Sequence, residues 1–69
     1  MRLTKEEADR ILIKSVEMIK IYPKWRMGQS FFNTLYMDYP ELADEIRATE
    51  YDPFYRTDRI PYCLEFITI

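Results

Sequence analysis

The chain has one cysteine and no histidine in 69 residues, so it must hold its fold together by packing alone. Cys63 has no intrachain partner for a disulfide, and neither a cysteine-rich zinc site nor an imidazole metal site can be assembled. A chain this short buries roughly 60% of its surface on folding, enough for one modest core, so residues 1–69 are expected to form a single small domain. The composition is 48% apolar with eleven aromatic residues, a globular balance rather than that of a disordered tail. The aromatics either fill the core or leave area for a partner or a second copy of the chain. The lone glycine, Gly28, excludes a glycine-rich phosphate loop.

The same inventory argues against catalysis. The commonest general base is missing. Cys63 has no imidazole to activate it and reads as a buried apolar residue. Adjacent carboxylates such as Glu6/Glu7 and Asp44/Glu45 point in different directions on a helix, so no acid–base pair is expected. No metal and no cofactor is expected either. The N-terminus turns charged at Arg2 and Lys5 where the apolar region of a leader would begin. Apolar runs such as Ile11-Leu12-Ile13 stop at three residues, too short for a membrane span. A small chain without disulfides fits the reducing cytoplasm.

The pattern predicts an all-α, compact bundle of three to four short helices. Thr4 and Glu7 form a capping-box signature, followed by Ala8, Ile11, Leu12, Ser15, Ile19 and Tyr22 at helical spacing, widened by Val16 and Met18. This predicts a helix over Lys5–Ile21, ended by Pro23. A second amphipathic helix is predicted over 27–37. It places Phe31, Phe32, Leu35 and Tyr39 on one side and Arg26, Gln29, Ser30 and Asn33 on the other. Gly28 serves there as N-cap or admits another backbone at close range. A third helix is predicted from Asp38-Tyr39-Pro40-Glu41, with Asp38 as cap, to Ala48 or Thr49. Asp52 caps a turn with Pro53 next. Residues 62–69 contain good strand formers, but no second strand is visible to pair with them. A last helix starting near Asp58 or Ile60 is therefore expected, with Thr68 and Ile69 fraying.

Charge is segregated. Residues 1–26 hold seven basic and four acidic residues, whereas 27–69 hold three basic (Arg47, Arg56, Arg59) and eight acidic. The acidic run from Asp38 to Asp52 is either a solvated helix face with two caps or a face that docks a basic surface, with Glu41, Asp44 and Glu45 as its contacts. In the basic segment, i, i+4 pairing accounts for most of the charge. The sequence pI near 5.0 makes nucleic acid an unexpected partner.

The stretch Trp25 to Leu35 contains the frame Arg-x-Gly-Gln-x-x-x-Asn, at Arg26, Gly28, Gln29 and Asn33. Downstream come Pro40-Glu41-Leu42-Ala43-Asp44-Glu45-Ile46-Arg47 and Asp52-Pro53-Phe54-Tyr55. These three blocks together resemble a group of short, largely uncharacterised proteins of tailed bacteriophages and prophages, over about residues 19–67. The resemblance implies a small helical accessory protein and carries no catalytic activity. The expected function is binding a host protein, of defence or replication, so as to inhibit or redirect it. The alternatives are a nucleotide- or anion-binding module and a self-assembling subunit. Arg26 sits at a helix N-terminus, where a cation is disfavoured, so it pairs with a carboxylate of the acidic segment or serves a partner. Gln29 and Asn33, one turn apart, either satisfy the Asp52–Tyr55 loop or contact a ligand. Trp25, Tyr51 and Tyr55 are core-edge aromatics or exposed anchors, whereas Phe54 belongs to the core. The candidate partner-binding set is therefore Trp25, Arg26, Gln29, Asn33, Glu41, Asp44, Glu45, Tyr51 and Tyr55.

Overall fold

The Thr4 hydroxyl accepts a hydrogen bond from the Glu7 amide at 3.2 Å, and the Glu7 carboxylate accepts one from the Thr4 amide at 2.9 Å. This closed capping box starts α1 (Lys5–Ile21) at the predicted residue. The backbone N–H and then the hydroxyl of Thr4 hold the Glu7 carboxyl below its ordinary range. The computed structural model describes residues Met1–Ile69. After α1 come α2 (Met27–Asp38), α3 (Pro40–Ile46), a single 3-10 turn at Thr57–Arg59 and α4 (Ile60–Ile67). The domain is all-α, as the pattern predicts. Proline occupies the first turn of both α3 and α4, where no amide is needed. No helix is long and apolar enough to cross a membrane.

The central element is α2, which packs on α1, on α3 and on the 3-10 turn. Phe31, Leu35, Ile11, Leu42, Ile46 and Ile67 are the large, fully buried side chains around it, with Leu3. The amphipathic reading of α2 was too narrow. Ser30, placed on the polar side, is fully buried. Its hydroxyl donates to the Ser15 carbonyl at 2.7 Å, and the Ser15 hydroxyl donates to Ile11 O at 2.6 Å. Two small residues thus set the α1–α2 crossing and satisfy their own hydroxyls. On α1, Val16 and Tyr22 of the expected stripe are about half exposed, because the serine crossing narrows the buried face to Ala8, Ile11 and Ser15.

Thr34 is also fully buried, but its hydroxyl has no hydrogen-bond partner. A buried orphan hydroxyl costs about 1–3 kcal/mol in desolvation. Thr34→Val keeps the shape and removes the orphan. It is expected to raise stability by ~1 kcal/mol, read as a higher urea midpoint at unchanged slope.

Asp38 does not cap α3. It is the last residue of α2, and its carboxylate takes Lys14 Nζ at 3.0 Å. Tyr39 instead closes α2 and opens α3. It donates to Glu7 Oε2 at 3.3 Å, so the corner between the two helices is tied to the start of α1. Helix α3 ends at Ile46, short of Ala48. Pairing within α1 is limited to Lys5–Asp9, since Lys14 reaches across to α2.

The chain ends are joined rather than frayed. Leu3 N–H donates to Ile67 O at 2.7 Å and Ile69 N–H donates to Leu3 O at 2.8 Å, a single parallel bridge between Leu3 and Thr68. The β-forming residues at 68–69 therefore do find a strand partner, though only one residue long.

Candidate functional site

Gly28 brings the first and third of the sequence blocks together. A β-carbon there would collide with the backbone carbonyl of Pro53 and stand 3.0 Å from Thr57 Cα. The 52–57 loop thus lies directly on the first turn of α2. The Gly28 amide donates to Thr57 Oγ1 at 3.1 Å, and Arg26 Nη2 donates to the Phe54 carbonyl at 3.1 Å. Of the two roles expected for Gly28, close approach is the one observed. Arg26 is the N-cap of α2 and meets a carbonyl, not the carboxylate expected of it. A guanidinium cannot accept a bond, so only half of a capping box forms: Gln29 Oε1 accepts from Arg26 N at 3.4 Å.

The loop is braced from within. Asp52 accepts from Phe54 N at 2.9 Å through one oxygen and from Ala48 N at 2.8 Å through the other, the turn-capping role predicted for it. Ala48 has φ 60°, a left-handed conformation that a non-glycine residue adopts only when its surroundings impose it. Thr49 adds a hydroxyl bond to Ile46 O at 2.6 Å.

Between this loop and the outer side of α2 lies an open cleft of about 640 Å³. Helix α2 contributes Phe32, Asn33 and Tyr36, the loop contributes Arg56 with the rings of Phe54 and Tyr55, and Arg47 at the end of α3 and Arg59 in the 3-10 turn complete the wall. All three basic residues of the otherwise acidic 27–69 segment therefore converge on one cleft. The Arg47 guanidinium lies 5.3 Å from the Phe32 ring centre and 5.2 Å from that of Tyr36, and Nη2 meets Asp44 at 3.0 Å. Arg56 makes a two-bond pair with Asp58 at 2.8 and 3.0 Å. That pairing raises the Arg56 pKa and lowers that of Asp58. Arg59 has no carboxylate partner and reaches only the Thr49 carbonyl at 3.5 Å. The one carboxylate lining the cleft, Asp52, has both oxygens engaged by backbone amides.

A second cavity of about 420 Å³ adjoins the first across Arg56 and Arg59, which line both, and adds Glu50, Tyr51, Asp58 and Tyr62.

Of the nine candidate residues, Asn33 and Tyr55 line the cleft, and Arg26 sits beside it with its guanidinium 5.8 Å from the Tyr55 ring. Tyr55 is 78% exposed. Gln29 and Asn33 do not act as a pair: Gln29 caps its own helix, whereas the Asn33 side chain makes no intramolecular hydrogen bond. Tyr51 is half-buried and stacked on Phe66 at 4.4 Å, and Trp25 is half-buried and stacked on Tyr22 at 4.3 Å. Glu45 pairs with Arg2 at 3.2 Å and Asp44 with Arg47, leaving Glu41 alone unpaired on the acidic face. Phe54 packs on the core and meets Phe32 edge-on at 5.8 Å.

Sequence reasoning missed Arg47, Arg56, Arg59, Phe32 and Tyr36. The available signal was the isolation of those three arginines in an acidic segment, which suggests a shared task. Burial pushes the Cys63 thiol up to about 12, so it stays protonated near neutral pH. No group of three metal-ligating side chains is assembled.

Fold and cleft together define a small all-α domain with one arginine- and aromatic-lined surface. No family model, curated protein or solved structure matches the chain.

Proposed function

We propose that this chain is a non-enzymatic accessory protein that binds a partner protein, and that the arginine–aromatic cleft is its binding surface. The resemblance to phage proteins makes a bacterial host protein the partner, which is inhibited or redirected when held. The observation that carries the reading is the convergence of Arg47, Arg56 and Arg59 with Phe32, Tyr36, Phe54 and Tyr55 on one cleft. Arginine and tyrosine dominate the residues on which protein interfaces depend. Small-ligand sites enclose most of their ligand, whereas here the rim is open and Tyr55 stands 78% exposed, which favours a protein. The cleft replaces the acidic face as the preferred site, because it sets aromatic rings beside Arg59, which has no carboxylate partner, whereas Asp44 and Glu45 are in ion pairs and no aromatic ring adjoins Glu41 in the cleft lining.

The test is affinity capture from bacterial lysate with identification by mass spectrometry, followed by calorimetry on the purified partner. Arg47→Glu/Arg59→Glu is expected to weaken binding ~100-fold or more, the effect of losing two interface anchors, with the helical circular dichroism kept. Glu41→Lys/Glu45→Lys is expected to bind within about threefold of wild type, as rim charges do. The opposite ranking would assign the site to α3 and end this reading.

A further inference from the structure

Helix α1 packs on α2 and turns Ala8, Ile11 and Ser15 to the core. At about 100° per residue, the line of α1 farthest from that contact is Glu6, Ile13 and Lys20, each two turns from the next. Arg10 and Glu17 run along one side of this line, and Asp9 and Val16 along the other. All seven are exposed. Ile13 is 59% exposed although it sits mid-helix, so nothing in the chain covers the centre of this face. Most of its charges are also unanswered. Lys5 meets Asp9 at 3.5 Å, but Glu6, Arg10, Glu17 and Lys20 form no ion pair within the chain.

The order of these groups selects the occupant. From the N-terminus the central line runs acid, apolar, base. Beside it Arg10 and Glu17 run base, then acid. Each order is the complement of its own reverse about Ile13. Lay a second copy of α1 antiparallel on the first, with Ile13 against Ile13. Glu6 of each copy then stands opposite Lys20 of the other. A two-fold axis across the helices keeps each flank against itself, so Arg10 stands opposite Glu17. The symmetry repeats every pair, and four opposite-charge pairs surround one apolar layer. A parallel arrangement sets each charge against its own kind, which is unfavourable.

We infer that α1 is a self-association surface along which two copies of this chain pair antiparallel. The helix has 17 residues and is ~25 Å long, and Ile13 and Val16 are the apolar groups at the centre of its outer face. The contact therefore belongs with small, transient interfaces, and its exposed charges make it sensitive to salt. No residue of α1 lines either cavity, so this surface is separate from the cleft and neither reading depends on the other.

The test is sedimentation velocity of the full chain from about 10 µM to about 1 mM, the span of weak affinities, in low salt and in about 0.5 M salt. Wild type is expected to form a reversible dimer that weakens in high salt. Arg10→Glu sets two like-charge pairs against Glu17 and is expected to weaken association at least ~10-fold, and Glu17→Arg to do the same against Arg10. The combined change Arg10→Glu/Glu17→Arg restores opposite charges and is expected to return association to within about threefold of wild type. Both positions are exposed, so helical circular dichroism should be kept in every variant. The exchange Glu6→Lys/Lys20→Glu, with its two single changes, reads the same pattern on the central line if a variant at 10 or 17 does not fold. A chain that stays monomeric at the highest concentration in low salt overturns the inference. So does a dimer indifferent to the single changes, or one that the combined change does not restore.

Discussion

Replacing Gly28 by alanine is expected to destabilise the protein by about 3 kcal/mol or more, the upper end of the cost of overpacking. The added methyl group meets the Pro53 carbonyl and Thr57 Cα, which are backbone and cannot rotate aside as a side-chain tip would. To make room, the 52–57 loop must lift from α2. It would then lose the Gly28–Thr57 and Arg26–Phe54 bonds together. Domains hold ~0.05–0.15 kcal/mol per residue, so a chain of this length cannot absorb such a loss easily. Melting should fall on the order of 10–20 °C, measured by circular dichroism at 222 nm. The cleft should be lost as well, because the displaced loop supplies Phe54, Tyr55 and Arg56 to its wall. An unchanged melting temperature would show that α2 and the loop are not in contact.

Leu3→Ala is expected to have a comparable effect, at ~2–5 kcal/mol, the range for truncating a fully buried leucine to alanine. Leu3 has no exposed surface although it precedes the first helix, and it joins the same core cluster as Phe31, Leu35 and Ile67. Its backbone also bonds both Ile67 and Ile69, so the side chain anchors a clasp between the two ends. In urea titration the midpoint should fall well below that of wild type. In native hydrogen exchange the Ile69 amide should lose its protection. A midpoint within error of wild type would mean that the N-terminal residues contribute nothing to the core.

These two sites show how far the sequence could be read. Helix α1 was legible to the residue, because the Thr4–Glu7 cap and a 3.6-residue period both act locally. The third helix was overextended, because its boundary is decided by Tyr39, shared between two helices, and by a loop that turns at Ala48 in a left-handed conformation no local pattern announces. Gly28 stood out as the lone glycine, but which backbone it admits depends on where Pro53 arrives. Leu3 and Thr68 lie at opposite ends of the chain, and a bridge of one residue leaves no alternating pattern. The candidate site was legible only in part. Asn33 and Tyr55 were found from the helix-two frame and the aromatic loop. The arginines were counted but not located, because Arg47, Arg56 and Arg59 meet only after α3 and the loop have folded back on α2. In the acidic run the Asp44–Arg47 pair is local, at i,i+3 spacing, whereas the Arg2–Glu45 pair joins residues from opposite parts of the chain and has no local signal.

The most direct measurement of the central claim is hydrogen–deuterium exchange of the protein with and without its captured partner. Binding through the cleft predicts slowed exchange in the 47–59 loop and in the second half of α2, with the exposed side of α3 around Glu41 unchanged. Slowed exchange over 41–45, with the 47–59 loop exchanging as in the free protein, would contradict it.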